Sequence, residues 1–137
     1  VIGGETMPDA ESYWHKLKEH QLAFFDNQLP LWRLALASDT PPDLAGLNEN
    51  SKVLYEWGGA LRWVTGVTDS ESLRNSTADA GGHATLFRNG ADKAATQDIF
   101  QALSPGLLRI HRNLKQAFDP NNILNPGKLY PQLDTQV

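Results

Sequence analysis

The run Val53-Leu54-Tyr55-Glu56-Trp57-Gly58-Gly59-Ala60-Leu61-Arg62-Trp63-Val64 decides how this chain folds. Val53 to Trp57 and Ala60 to Val64 both read as strands, and only Gly58-Gly59 stands between them. Two such runs joined by a Gly pair predict an antiparallel hairpin, since glycine enters the positive-φ conformations of tight turns without a steric penalty. Upstream, Leu31 to Ala37 reads as another strand, with Trp32, Leu34 and Leu36 on one face. The segment between, Ser38 to Asn50, is rich in turn formers and has room for one helical turn at Asp43 to Leu47.

Downstream of the hairpin, Asp69 or Ser70 can cap a helix that runs to Ala80 and stops at Gly81-Gly82. Ala84 to Arg88 follows as a short strand. The order is therefore strand, short helix, strand, strand, helix, strand. That is the α+β, ferredoxin-like (split βαβ) pattern with an antiparallel sheet.

Two helices and a tail flank this unit. Asp9 is placed to cap an N-terminal helix whose apolar positions Ala10, Tyr13, Trp14, Leu17 and Phe24 recur at helical spacing, ending near Asn27 to Pro30. Ser104 followed by Pro105 opens a C-terminal helix with Leu107, Ile110, His111, Leu114 and Phe118 along one stripe. Pro120 disfavours helix at Asp119 and so ends it. Asn89 to Gln97 is polar and reads as a loop.

The composition narrows the function classes. A chain of 137 residues with 40% hydrophobic and 20% charged residues is an ordinary one-domain length and balance. Its formal net charge of −4 lacks the Lys/Arg surplus that a nucleic acid or a polybasic membrane contact requires. With no cysteine there is no disulfide framework and no thiolate chemistry, which fits a cytoplasmic protein. No apolar run approaches the ~20 residues of a membrane span. Asn75-Ser76-Thr77 matches a glycosylation triplet, but nothing else points to secretion.

Two stretches carry chemistry. The tail Phe118-Asp119-Pro120-Asn121-Asn122-Ile123-Leu124-Asn125-Pro126-Gly127-Lys128-Leu129 is a helix stop followed by a Pro-Gly turn that presents an amide and an ammonium. Read on residue types alone, it either fixes polar groups against a ligand or merely ends the fold. In Gly81-Gly82-His83-Ala84-Thr85-Leu86-Phe87-Arg88, a sharp turn leads to a His at one end of a strand and an Arg at the other. Imidazole works as a base near neutral pH, and guanidinium grips a carboxylate in bidentate fashion. A His in this setting is also commonly a plain surface or core residue. Trp32, Trp57 and Trp63 have core packing as the simpler reading for at least two of them, and Arg33 reads as a sheet-face residue. His15 and His20 are expected to be solvated. No His-x-His or His-x-x-x-His pair surrounds His83, so no metal site is expected.

The pattern helix-Phe-Asp-Pro-x-x-Ile-Leu-Asn-Pro-Gly-Lys closely resembles the C-terminal signature of the FAD-linked oxidases related to vanillyl-alcohol oxidase. Trp57 to Trp63, together with Gly81 to Arg88, further resembles the E-type subunits of bacterial glycolate oxidases, and the likeness covers most of the chain. The resemblance implies a C-terminal cap or substrate domain over residues 1–137. FAD would be held mainly by an upstream domain absent from this sequence, so the piece alone should be inactive. It implies oxidation of glycolate, a small 2-hydroxy acid, to glyoxylate, with a D-type flavoprotein and an iron–sulfur subunit as partners. The assembly would be cytoplasmic or peripheral to the inner membrane. By position, His83 and Arg88 would be catalytic, and Asn125, Lys128 and Arg62 would touch the cofactor. Related D subunits carry Gly-Glu-His-Gly, whereas this chain has Gly81-Gly82-His83-Ala84. The alternatives are a docking or scaffold domain for subunit assembly and a free-standing ferredoxin-like small-molecule binder.

Overall fold

The computed structural model describes residues 4–91 and 99–133. Within them a four-stranded antiparallel sheet is built from β1 (Leu31–Ala35), β2 (Lys52–Glu56), β3 (Leu61–Thr65) and β4 (His83–Arg88). The spatial order is β2-β3-β1-β4, so the first and last strands pair and the hairpin partners lie to one side. This is the strand order of a split βαβ unit, as the sequence pattern predicts. Part of the expected Asn89 to Gln97 loop falls outside the described residues.

The hairpin turn is longer than the Gly pair alone. Glu56 pairs with Leu61, so Trp57, Gly58, Gly59 and Ala60 all lie in the loop, with the first three in a 3-10 turn. Trp57 adopts φ 51°, a left-handed backbone that bulky residues rarely take. Its side chain is turned out to solvent at 81% exposure, while Trp32 and Trp63 are buried.

One face of the sheet packs Trp32, Leu34, Leu36, Val64, Ala84 and Leu86 against Leu73 of α2 (Ser70–Asp79). Asp69 caps that helix by accepting from the Ser72 N–H at 3.0 Å. At the other end Gly81 (φ 72°) and Gly82 donate to the carbonyls of Ala78 and Thr77, closing a Schellman turn. Gly82 also has no room for a side chain, since a Cβ would lie 2.6 Å from the Ala35 carbonyl oxygen.

No helical turn forms at Asp43 to Leu47. The chain crosses the sheet there as a loop, with Leu44 buried in the core and Gly46 (φ 88°) pressed against the backbone of α2. Arg62 ties this loop down. The guanidinium, on a residue 2% exposed, donates to the carbonyls of Gly59 (3.2 Å), Pro41 (2.8 Å) and Thr40. Polar fastening replaces the crossover helix.

The N-terminal helix α1 (Ala10–Lys18) is shorter than the apolar spacing suggests, and Phe24 lies beyond it. His20 takes φ 54° and closes a Schellman turn, its own N–H donating to Leu17 O and that of Gln21 to Lys16 O. The following turn folds Phe25 under the sheet's second face, where Leu17, Phe25, Leu31 and Trp63 form a second core. Asp9 makes no side-chain cap bond. The terminal helix α3 (Pro105–Phe118) begins as expected, with Ser104 capping Leu107 N–H and Pro105 in the first turn. Its apolar stripe is not part of the sheet core: Leu107, Ile110, Leu114 and Phe118 are all exposed.

Candidate functional site

The tail gathers the most chemistry into one place. Asp119, 7% exposed, accepts from the Ile123 and Leu124 N–H groups, both at 2.9 Å, and from Lys115 Nζ at 2.5 Å. The bond from Lys115, then those backbone donors, hold its carboxyl down at a pKa of about 2. Lys115 also reaches the Leu124 carbonyl at 2.9 Å. These bonds bend the chain back along α3. The Asn125–Lys128 turn follows, with Asn125 at φ 45° and Lys128 N–H donating to the Asn125 carbonyl at 3.2 Å.

Between α3 and this returning tail lies a cavity of about 520 Å³. Its walls include Phe100, Leu114, Phe118 and Tyr130 and are mostly apolar, with Asn125, Lys128 and His111 also among the lining residues. Tyr130 stands 5.6 Å from the Phe100 ring and 6.0 Å from the His111 ring. His111 Nδ1 is 2.9 Å from the Leu107 carbonyl. A carbonyl only accepts, so Nδ1 is the donor in this contact. Flat apolar walls beside an amide, an ammonium and an imidazole suit one edge of a planar heterocycle with carbonyl groups.

The other candidate residues lie elsewhere. His83 begins β4 opposite Ala35, and Arg88 ends it opposite Leu31. Five strand steps separate them, roughly 16 Å at about 3.3 Å per residue, too far to act on one small substrate. Arg88 Nη2 donates to the carbonyls of Phe25 (2.9 Å) and Asn27 (3.3 Å), anchoring the turn after α1. Arg62 is likewise directed to backbone carbonyls, inside the fold and away from the tail. The structure thus brings Asn125 and Lys128 together and leaves His83, Arg88 and Arg62 dispersed.

Two histidines differ from their sequence reading. His20 is not simply solvated: its ring stacks on Phe25 at 4.2 Å and meets Trp63 and Phe87 edge-on at 4.7 and 5.2 Å. Burial, and secondarily the positive charge of Arg88, push its pKa below the usual histidine range. The Phe24-Phe25 pair just downstream was the available signal. His111 reads in sequence as one more stripe residue; its position beside Tyr130 depends on the chain return that Asp119 fixes. Among the described residues no group of three or more His, Asp or Glu side chains could share a metal ion. No described helix is long and apolar enough to cross a membrane.

Comparison with known proteins agrees with the tail. The family described as FAD linked oxidases, C-terminal domain, matches residues 90–129, which include α3 and the Asn125–Lys128 turn. The chain is 40% identical over 134 residues to glycolate oxidase subunit GlcE of Escherichia coli (strain K12). That alignment takes in 97% of this chain but 35% of the relative, so the chain spans about a third of that protein's length. No solved structure matches. The likeness to FAD-linked oxidases seen in Phe118 to Lys128 therefore extends, for the glycolate oxidase subunit, across nearly the whole chain.

Proposed function

We propose that this FAD-linked-oxidase-type chain is the cap domain of a flavoprotein subunit of a glycolate oxidase, contributing to oxidation of glycolate to glyoxylate. One coincidence carries the reading: the segment that matches the family is the one that builds the cavity with Asn125, Lys128 and His111. The donor set fits part of FAD. Asn125 and Lys128 are donors for the carbonyl edge of an isoalloxazine ring, and the Phe and Tyr walls suit its plane. The fit stops there, since the sequence has no Gly-x-Gly-x-x-Gly loop for the pyrophosphate. Most of the cofactor would be held by an FAD-binding domain upstream.

When bound, the flavin supplies the two-electron acceptor for a 2-hydroxy acid. The residues of this domain orient the ring, keep water from its edge and place positive charge beside it. His83 lies on the same strand face as Thr85 and Phe87, apart from the tail cavity, and is the residue of this domain we assign to the substrate side. Partner subunits of the D-type flavoprotein and iron–sulfur kinds would complete the assembly, in the cytoplasm or peripheral to the inner membrane.

The test is glycolate turnover by the complete assembly. His83→Ala should lower kcat or shift the flavin potential, and Lys128→Ala should shift the potential. If neither variant alters turnover or potential, this site assignment is wrong.

A further inference from the structure

Apolar burial within this domain does not hold the tail against α3. Phe118, Ile123, Leu124 and Leu129 are all at least half exposed. The backbone there is also unusual, since Asn122, Asn125 and Gly127 take φ 51°, 45° and 69°. Left-handed residues persist where surrounding bonds fix them. Here those bonds converge on one carboxylate. Asp119 Oδ1 accepts from the Ile123 N–H, and Oδ2 accepts from both the Leu124 N–H and Lys115 Nζ. The Asp119 main-chain carbonyl accepts from the Asn122 N–H at 3.0 Å.

Lys115 completes the arrangement by donating to the Leu124 carbonyl at 2.9 Å. Leu124 is therefore gripped at its N–H by one member of an ion pair and at its C=O by the other. The turn that carries Asn125 and Lys128 begins at the next residue. The two side chains of the pair are 20% and 6% exposed, so water screens them little. Lys115 and Lys128 both line the tail cavity. The charge of Lys115 is matched by Asp119 at 2.5 Å, whereas Lys128 has no ion pair among the described residues.

We propose that Asp119 and Lys115 are positioning residues for the flavin: the pair fixes where Lys128 stands and tunes the reduction potential through it. This rests on the flavin reading of the tail cavity. The sign of the effect separates positioning from plain electrostatics. Asp119→Asn removes a negative charge and leaves Lys115 without its carboxylate, and both changes alone favour the reduced, more anionic flavin and raise the potential. An Asn amide, however, has one acceptor oxygen. It can serve Ile123, or Leu124 and Lys115, but its NH₂ then faces donors on the other side. The turn loosens, Lys128 leaves the ring edge, and the potential falls.

The test measures the reduction potential of the complete flavoprotein subunit, with FAD bound, for wild type, Asp119→Asn, Lys128→Met and the double variant. Lys128→Met should lower it. Asp119→Asn should lower it too, weakening the preference for reduced flavin about threefold to tenfold, or roughly 15–30 mV for a two-electron couple. In the Lys128→Met background, Asp119→Asn should cause no further fall, because the charge it positions is gone. A potential unchanged or raised by Asp119→Asn, beside a fall in Lys128→Met, overturns the positioning role and leaves the flavin reading intact. An unchanged potential in Lys128→Met overturns both. Should Asp119→Asn fail to fold or lose FAD, Lys115→Met enters the same cycle. A fall that is smaller in the Lys128→Met background supports positioning; equal falls in both backgrounds, the mark of independent charges, overturn it.

Discussion

Replacing Arg62 by Ala separates a structural from a cofactor-binding role for a residue that the family resemblance placed at the cofactor. Its guanidinium bonds three carbonyls, and two of them, Thr40 and Pro41, belong to the loop that stands where a crossover helix was expected. A hydrogen bond from a charged group contributes about 1.5–3 kcal/mol. Pro41 is exposed and Thr40 half-buried, so water can re-satisfy part of what is lost. Discounting for that repair and for non-additivity gives about 3–4 kcal/mol in total. At about 3–5 °C per kcal/mol for a domain of this size, the thermal midpoint should fall by roughly 10–20 °C. Urea denaturation gives the free energy directly, and the slope m should stay unchanged. Arg62→Lys keeps the charge but not the fork, and should recover only part of the loss. A loss below about 1 kcal/mol for Arg62→Ala would refute the fastening role.

Three further predictions follow from charge and from the cavity. The pKa of Asp119 is about 2 when folded and 3.8 ordinarily, so its contribution is full above pH 3.8 and disappears as the pH falls toward 2; Asp119→Asn should abolish that part of the acid-unfolding profile. His20 has a folded pKa below its usual 6.5, so the unfolded chain takes up the proton first and stability declines as the pH drops below about 6.5. His20→Asn, which tolerates φ 54° and does not titrate, should flatten the decline near pH 6, and an unchanged profile would exclude His20 as its source. The isolated 137-residue chain should purify colourless, because in the proposed function Asn125 and Lys128 would meet only the ring edge; a bound flavin spectrum at stoichiometric level would contradict this.

The legible and illegible parts of the fold divide by the range of the forces involved. The sheet could be read because the alternation in Trp32-Arg33-Leu34-Ala35-Leu36 and the glycines at 58–59 and 81–82 act over a few residues. The caps of α2 and α3 were visible for the same reason: Asp69 and Ser104 each bond an N–H three residues on. The early end of α1 was not, because it depends on His20 adopting φ 54° to stack on Phe25 and reach Trp63, 43 positions away. The missing turn at Asp43 to Leu47 likewise depends on Arg62 reaching back to Thr40 and Pro41. At the site, the Asn-Pro-Gly-Lys turn announced itself through local chemistry. His111 and Tyr130 did not, since only the backward bend held by Asp119 brings them to one cavity. The separation of His83 from Arg88 was readable in principle, because five steps along an extended strand fix it.

The central claim, that the tail of this domain meets the flavin, is tested most directly by the reduction potential of the complete flavoprotein subunit with Lys128 changed to Met. Removing a positive charge beside the ring disfavours the reduced, more anionic flavin, so the potential should fall by some tens of millivolts, at about 30 mV per tenfold change for a two-electron couple. A distant surface control such as Lys16→Met should leave it unchanged. Equal potentials for wild type and Lys128→Met, with FAD fully bound in both, would contradict the account.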